Sequence, residues 1–173
     1  PTATFANEQM ILGAQDNGTQ RLSGAPLANN FYNGCVVYGG DGAYTAYGNS
    51  DKYLIASYVY NNHYLFNAQG SYNLLPNAAE RGVGQFINPL AVDRNLDIAY
   101  TNANNNNTTS VTLNRVAGLE TLPYVPTSTQ LVIATVTAGQ NISDILVSPY
   151  TTTSSTLFIG LSSGKLYKVT NAN

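Results

Sequence analysis

The stretch Ile11-Leu-Gly-Ala-Gln-Asp-Asn-Gly-Thr-Gln20 sets the pattern of this chain, and Val36-Val-Tyr-Gly-Gly-Asp-Gly-Ala-Tyr44 repeats it. In each stretch, a short apolar run is followed by one aspartate among glycines. Glycine accepts the positive φ that tight turns need, so each stretch predicts a strand that ends in a sharp turn. The carboxylates of Asp16 and Asp41 either accept hydrogen bonds from backbone N–H groups or face a ligand. For each aspartate taken alone, we favour the backbone role.

Working outward from this stretch, four segments share a short apolar strand, a polar turn and a second strand. They are residues 10–20, 53–66, 97–116 and 156–169. From Leu12 to Ile55 is 43 positions, from Ile55 to Ala99 is 44, and from Ala99 to Phe158 is 59. The first two intervals match the roughly 40–50 residues of one four-stranded propeller blade. Loops at residues 104–109 and 123–129 account for the longer third interval.

A second unit lies between these hairpins, and it consists of a strand that ends in a turn of small residues. Its copies are residues 38–47, 88–95 and 142–149. Helical periodicity is almost absent, and β-branched and aromatic residues crowd the apolar runs. We therefore predict an all-β fold, with residues 1–173 as a single β-propeller domain or partial propeller of about four blade-equivalents. The segment Pro1–Ala6 is a candidate to close one edge by joining the last blade.

The amino-acid composition limits the classes of partner that this chain can bind. Charged residues make up 9% of the chain and the net charge is −2, so no basic patch is available for nucleic acid. Apolar runs such as Leu131–Val136 are too short for membrane insertion. Cys35 has no second cysteine to pair with, and its apolar neighbours predict a buried small residue. A surface poor in lysine and glutamate and rich in asparagine and threonine predicts an extracellular or cell-surface location.

Several of these motifs together resemble the Asp-box propellers, the sialidase-like and sortilin-like repeat proteins found in secreted bacterial surface proteins of the Bacteroidetes type. The motifs are Gly13-Ala-Gln-Asp-Asn-Gly-Thr19, Gly39-Gly-Asp-Gly42, Asn88-Pro-Leu-Ala-Val-Asp93 and Ile142-Ser-Asp-Ile-Leu-Val-Ser-Pro149. The box itself is degenerate here, since Phe66-Asn-Ala-Gln-Gly-Ser-Tyr72 keeps the glycine and an aromatic residue but lacks the aspartate. The resemblance implies a closed ring of six to ten blades, of which this chain would supply about four. It thus implies partners: other propeller blades, or another chain that completes the ring. A small closed ring of four blades is the alternative that the length of the chain leaves open.

The candidate site residues lie mainly in the two glycine-rich turns. Asp16 and Asp41 are candidates for a catalytic pair of carboxylates, if both face the central channel of a propeller. Asp16, Asn17 and Asp41 offer hard oxygen ligands, which makes calcium the candidate cofactor. Together with a row of tyrosines, these turns predict a ligand-binding set of Gln15, Asp16, Asn17, Asp41, Tyr58 and Tyr60. For each aspartate, a turn that needs only its own backbone cap is the competing interpretation.

Aromatic and imidazole side chains also have two interpretations. Tyr53, Tyr58, Tyr60 and Tyr64 would form either a face on which sugars stack or a filling between blades, and we favour the filling. His63 has no second histidine or cysteine nearby, so we predict a surface residue of a hairpin that turns at Asn61-Asn62. The tract Asn104–Asn107 predicts a solvated loop.

Three hypotheses for function follow. The first is a non-catalytic extracellular or cell-surface module that acts in adhesion, glycan binding or protein assembly. The second is a fragment of a secreted glycoside hydrolase of the sialidase-like type. The third is a self-associating structural subunit of a surface fibre, which would use unpaired strand edges. Low charge and degenerate boxes favour the first hypothesis, and the arginines Arg21, Arg81, Arg94 and Arg115 form no recognisable catalytic motif.

Overall fold

The computed structural model describes residues 4–6, 9–23, 33–49, 52–104, 109–121 and 123–173. Within these ranges it contains fifteen β-strands and a 3₁₀ turn at Ala78–Glu80. The all-β prediction is therefore confirmed. No helix in the described ranges is long and apolar enough to cross a membrane. The prediction for the side chain of Cys35 lies outside the described residues.

The strands form four antiparallel sheets, each of which is a meander in chain order. Sheet 1 consists of β1 (Thr4–Ala6), β2 (Gln9–Ala14), β3 (Gly18–Ser23) and β4 (Asn33–Tyr38). Sheet 2 consists of β5 (Thr45–Tyr47), β6 (Tyr53–Ser57), β7 (His63–Asn67) and β8 (Gly70–Asn73). Sheet 3 consists of β9 (Leu90–Asp93), β10 (Ile98–Asn102), β11 (Ser110–Ala117) and β12 (Thr127–Thr135). Sheet 4 consists of β13 (Ile142–Val147), β14 (Leu157–Leu161) and β15 (Leu166–Val169).

Each of the four predicted hairpins coincides with a hairpin of the structure. The pairs are β2–β3, β6–β7, β10–β11 and β14–β15. The second repeated unit supplies β5, β9 and β13, the first strands of sheets 2, 3 and 4. Local signals are sufficient for these elements, because apolar alternation and turn residues act over a few positions. In the described chain, no strand pairing joins sheet 1 to sheet 4.

Apolar side chains fill three layers between consecutive sheets. Sheets 1 and 2 enclose Ile11, Tyr47 and Leu54. Sheets 2 and 3 enclose a larger layer that includes Ile55, Leu65, Leu90, Ala99 and Val116. Sheets 3 and 4 enclose Tyr100, Leu113, Leu157 and Ile159, among others. Burying one such Leu or Ile side chain contributes about 1.5–3 kcal/mol, so these layers hold the row of sheets together.

The β6–β7 hairpin turns one residue earlier than predicted. Tyr60 and Asn61, rather than Asn61 and Asn62, occupy its centre, with φ values of 52° and 60°. Two successive left-handed residues form the turn whose twist suits an antiparallel hairpin. The buried side chain of Asn61 donates a hydrogen bond to the Glu80 carbonyl at 2.8 Å. This contact with a distant residue stabilises the observed register.

The prediction that Pro1–Ala6 joins the last blade is wrong for its described residues. Thr4–Ala6 forms β1, and it pairs with β2 in sheet 1, with Thr4 opposite Ile11 and Ala6 opposite Gln9. The connection between β1 and β2 is very short, and a short connection favours pairing between neighbours. Residues 1–3 lie outside the described chain.

The predicted solvated loop at Asn104–Asn107 is wrong for Asn104, whereas residues 105–107 lie outside the described chain. Asn104 is buried. Its backbone N–H donates to Asn102 Oδ1 at 2.8 Å, and its own Oδ1 accepts from the Thr112 N–H at 2.7 Å. Burial is possible because the amide side chain satisfies the backbone at the end of the β10–β11 ladder.

Candidate ligand-binding cavity

A cavity of about 820 Å³ lies where segments from all four sheets converge. Sheet 1 contributes the end of β2, and sheet 4 contributes one residue of β13. The chain segments that lead into β5 and β9 supply the rest. The lining residues are Leu12, Gly13, Ala14, Gln15, Gly42, Ala43, Tyr44, Phe86, Ile87 and Asp144. This volume falls in the range of about 300–1,000 Å³ that is typical of small-molecule sites.

Tyr44 and Asp144 form the polar centre of the cavity. The Tyr44 hydroxyl donates to Asp144 Oδ1 at 3.3 Å, and the Ile145 N–H donates to the same oxygen at 2.9 Å. Burial raises the pKa of Tyr44 to about 12, and the neighbouring Asp144 carboxylate adds to this rise. The phenol therefore stays protonated at neutral pH and remains a donor. Both bonds end on Oδ1, which leaves Oδ2 of the exposed carboxylate to accept from a ligand.

Aromatic and aliphatic side chains form the rim of the cavity. Phe86 is 44% exposed, and its ring meets the ring of Tyr60 edge-on, with centroids 5.7 Å apart and planes at 83°. The Tyr60 N–H donates to the Phe86 carbonyl at 3.0 Å. Gln85 Nε2 donates to the Ile142 carbonyl at 2.7 Å, which joins this segment to sheet 4. The rim is therefore held by hydrogen bonds to backbone carbonyls, while its rings are partly exposed to solvent.

The two glycine-rich turns predicted as a pair do meet. Asp41 Oδ1 accepts a hydrogen bond from the backbone N–H of Asp16 at 2.9 Å, across 25 positions of sequence. The turns pack backbone against backbone, since a Cβ on Gly42 would lie 2.1 Å from the Gly18 carbonyl oxygen. Asp41 thus has the backbone-capping role that we favoured. Of the predicted ligand-binding set, Gln15 lines the cavity, whereas Asp16, Asn17 and Asp41 are not among its lining residues.

Calcium at the two turns is not tested here by a bound ion. The residues predicted to bind it make hydrogen bonds within the turns. Asn17 Nδ2 donates to the Gln15 carbonyl at 3.1 Å, and Gln20 Nε2 donates to the Asn17 carbonyl. In the part of the chain that the structure describes, no group of three or more His, Cys, Asp or Glu side chains could hold a metal. Calcium at Asp16, Asn17 and Asp41 stays a prediction.

Most of the predicted tyrosine row lies between sheets. Tyr38 stacks on Tyr64 with centroids 4.2 Å apart, and its ring lies 5.9 Å from that of Tyr58. Burial and a hydrogen bond with Tyr64 raise the pKa of Tyr38 to about 12. Tyr53 is buried and donates to Asp97 Oδ1 at 2.7 Å. These contacts are those of side chains that fill the space between sheets. Of the predicted row, Tyr60 is the tyrosine whose ring contacts the cavity rim, through Phe86.

The prediction that His63 is a surface turn residue is wrong, because its side chain is 1% exposed. Its Nδ1 lies 2.7 Å from Ser57 Oγ, and its Nε2 lies 2.9 Å from Asn61 Oδ1. The Asn61 oxygen can only accept, so Nε2 carries the proton and Nδ1 accepts from the serine. Burial lowers the pKa of His63 to about 3, which keeps the ring neutral. Ser57 and Asn61 are also buried, so this serine–histidine–asparagine row is closed to a substrate.

The sequence analysis missed Tyr44, Phe86, Ile87 and Asp144 as candidate site residues. Tyr44 closes one of the two glycine-rich stretches, and Asp144 lies in the repeated unit at 142–149, so a signal was present for these two. Phe86 and Ile87 belong to no repeat. Their part in the site depends on the path of the chain into β9.

Comparison with known proteins adds no identification. No protein-family model matches this chain, and no curated protein matches it. The cavity and its lining residues are therefore the basis for a functional assignment.

Proposed function

We propose that this chain is a non-catalytic β-propeller module, extracellular or at the cell surface, that binds a carbohydrate in the cavity at the convergence of its sheets. The cavity carries this proposal because it combines an exposed aromatic ring, Phe86, with a hydrogen-bonding carboxylate, Asp144. Adhesion or assembly on a glycan-bearing surface would follow from such binding.

The chemistry of the wall suits a sugar. Pyranose rings have apolar C–H faces and a periphery of hydroxyl groups, so they are bound by aromatic surfaces together with a few oriented acceptors and donors. Phe86 and Ile87 supply the apolar surface, Asp144 Oδ2 accepts from hydroxyl groups, and Gln15 offers an amide that both donates and accepts. Tyr44 holds the carboxylate in place through its hydrogen bond.

The propeller assignment is supported by the order of the sheets. Four meanders follow one another along the chain, and each packs its apolar face on the next. Radial repetition of such sheets around a central channel is the propeller arrangement, and ligands bind where the inner strands converge. The resemblance to Asp-box propellers points the same way.

The hydrolase alternative has weaker support. Acid–base cleavage of a glycoside uses two carboxyl groups about 5–9.5 Å apart. Among the described residues that line the cavity, Asp144 is the one carboxylate, and Asp41 is bonded to the backbone of the neighbouring turn. A hydrolase would lose turnover on replacement of Asp16 or Asp41 by Asn, whereas the binding module would keep its affinity.

Glycan-array screening followed by calorimetric titration of the best glycan tests the proposal. We expect Phe86→Ala and Asp144→Asn each to weaken binding at least tenfold, because they remove the stacking surface and the charged acceptor. Tyr150→Ala is the matched control, since it removes an exposed aromatic side chain that does not line the cavity. Absence of glycan binding, or an equal loss in the control, would overturn the proposal.

A further inference from the structure

The side chains that line the cavity carry one charge, and that charge is negative. Of the described residues in the lining, Asp144 is the one carboxylate, and none is a lysine, arginine or histidine. The one salt bridge among the described residues joins Lys52 to Glu120, so no described cation of the chain pairs with Asp144. Asp144 is exposed, and both of its hydrogen bonds end on Oδ1. A ligand in this cavity therefore meets a carboxylate that the chain does not neutralise.

Three hydrogen-bond donors of the cavity wall are already bonded within the chain. The Gly42 N–H donates to the Ala14 carbonyl at 3.0 Å. The Ala43 N–H donates to the Ser57 carbonyl at 3.3 Å, and the Tyr44 hydroxyl donates to the carboxylate. An anionic ligand needs free N–H donors or cationic side chains to replace its hydration. This wall therefore suits a sugar with a carboxylate or sulfate group poorly.

The aromatic rim favours a cation as well. Phe86 is 44% exposed, and its ring contacts the ring of Tyr60. The π face of such a ring attracts an ammonium group through its quadrupole. Gln85 Nε2 donates to the Ile142 carbonyl at 2.7 Å. This bond joins the segment of Phe86 to the strand of Asp144, so the ring and the carboxylate belong to two segments that are tied together.

We infer that the sugar bound in this cavity carries a protonated amine, so that the ligand is a glycan containing an amino sugar with a free amino group. This inference rests on the proposed carbohydrate binding and names the class of sugar. The ammonium group donates to Asp144 Oδ2, while the apolar face of the pyranose ring packs on Phe86. A neutral hydroxyl group can donate to the same oxygen, but a charge-assisted hydrogen bond is about twice as strong as a neutral one. The carboxylate therefore discriminates among sugars by their charge.

Calorimetric titration with three β-1,4-linked tetrasaccharides tests the inference. They consist of glucosamine, glucose or glucuronic acid, so they share one backbone and each charged one differs from the glucose form at one group per sugar. At about pH 6 the first carries ammonium groups, the second no charge and the third carboxylates. We expect the glucosamine form to bind about tenfold more tightly than the glucose form, and the glucuronic acid form to bind most weakly.

Two variants separate the effect of this carboxylate from that of the overall charge of the chain. Asp144→Asn keeps a side-chain oxygen but removes the charge, and it should reduce the preference for glucosamine over glucose to less than about twofold. Glu120→Gln removes the same charge from a residue that does not line the cavity, and it should keep the preference. Raising the salt concentration from about 50 to 500 mM should weaken binding of the glucosamine form alone, because salt screens charge. Circular dichroism checks that both variants stay folded.

The possible results distinguish this inference from the proposed carbohydrate binding. A preference for glucosamine that Asp144→Asn removes and Glu120→Gln keeps supports the inference. Equal affinity for the glucosamine and glucose forms, tighter binding of the glucuronic acid form, or a preference that survives Asp144→Asn overturns it, whereas carbohydrate binding itself then stands. Absence of binding by all three tetrasaccharides also overturns the inference, and the glycan array then decides separately whether the cavity binds another carbohydrate.

Discussion

Two hydrogen-bonded groups of polar side chains differ in their exposure to solvent. Ser57, His63 and Asn61 form a hydrogen-bonded row inside sheet 2, while Tyr44 and Asp144 form a pair in the wall of an open cavity. The buried row contains the residue types of a catalytic relay, yet no solvent reaches it. The open pair lacks a nucleophile but presents a carboxylate oxygen to a ligand. Exposure to solvent, rather than residue type, therefore decides which of the two groups can bind a ligand and which one only stabilises the fold.

The largest expected effect on stability comes from a substitution that breaks the buried row. His63→Leu leaves Ser57 Oγ and Asn61 Oδ1 buried without their partner, and each unsatisfied group costs about 1–3 kcal/mol. We expect the free energy of unfolding in urea at pH 7 to fall by about 3 kcal/mol. Tyr44→Phe is the matched change at the open pair and should cost less than about 1 kcal/mol. A smaller loss for His63→Leu than for Tyr44→Phe would contradict the comparison.

Acid should weaken the buried row in a predictable direction. The folded state holds His63 neutral with a pKa of about 3, against 6.5 for an ordinary histidine. Between these values the unfolded chain binds the additional proton, so stability is complete above pH 6.5 and falls as the pH decreases. From pH 7 to pH 4.5, this group should lower the free energy of unfolding by about 2.5 kcal/mol. Urea titrations at several pH values measure this loss of stability. The His63→Leu variant should lack this part of the pH dependence of the free energy of unfolding.

A change at the open pair should affect binding more than stability. Tyr44→Phe removes the hydroxyl that orients Asp144, while the ring remains in place. We expect affinity for the bound glycan to fall about three- to fivefold, which corresponds to about 0.6–1 kcal/mol. Calorimetric titration of the two proteins gives the ratio. Unchanged affinity together with a loss of stability would assign Tyr44 a structural role like that of His63.

The smallest effect concerns the contact between the two glycine-rich turns. Asp41→Ala removes the acceptor for the Asp16 N–H, a partly exposed bond worth about 0.5–1 kcal/mol. Asp41→Asn keeps a side-chain oxygen and should cost less. Thermal unfolding of the two variants distinguishes them. If Asn is as costly as Ala, the charge of Asp41 matters rather than its bond to the turn, which would favour the calcium hypothesis.

Local sequence patterns were good guides to local structure. The four hairpins and the first strands of sheets 2 to 4 follow from alternation and turn residues. The β6–β7 turn was displaced by one residue because Asn61 is bonded to Glu80, 19 positions away. The candidate site was partly anticipated, since Gln15 lines the cavity and Asp41 joins the two turns. Phe86 and Ile87 lie in no recognisable motif, because an apolar side chain that lines a cavity and one that faces open solvent look alike in sequence.

The sequence by itself determined the all-β class, the repeated hairpins and the two glycine-rich turns, because each depends on backbone preferences within a few residues. Tertiary structure alone decided that Tyr44 meets Asp144 across 100 positions, that His63 is sealed inside sheet 2, and that segments associated with all four sheets line one cavity. These features depend on which sheet covers which face. A side chain's own chemistry does not say whether a distant part of the chain will cover it.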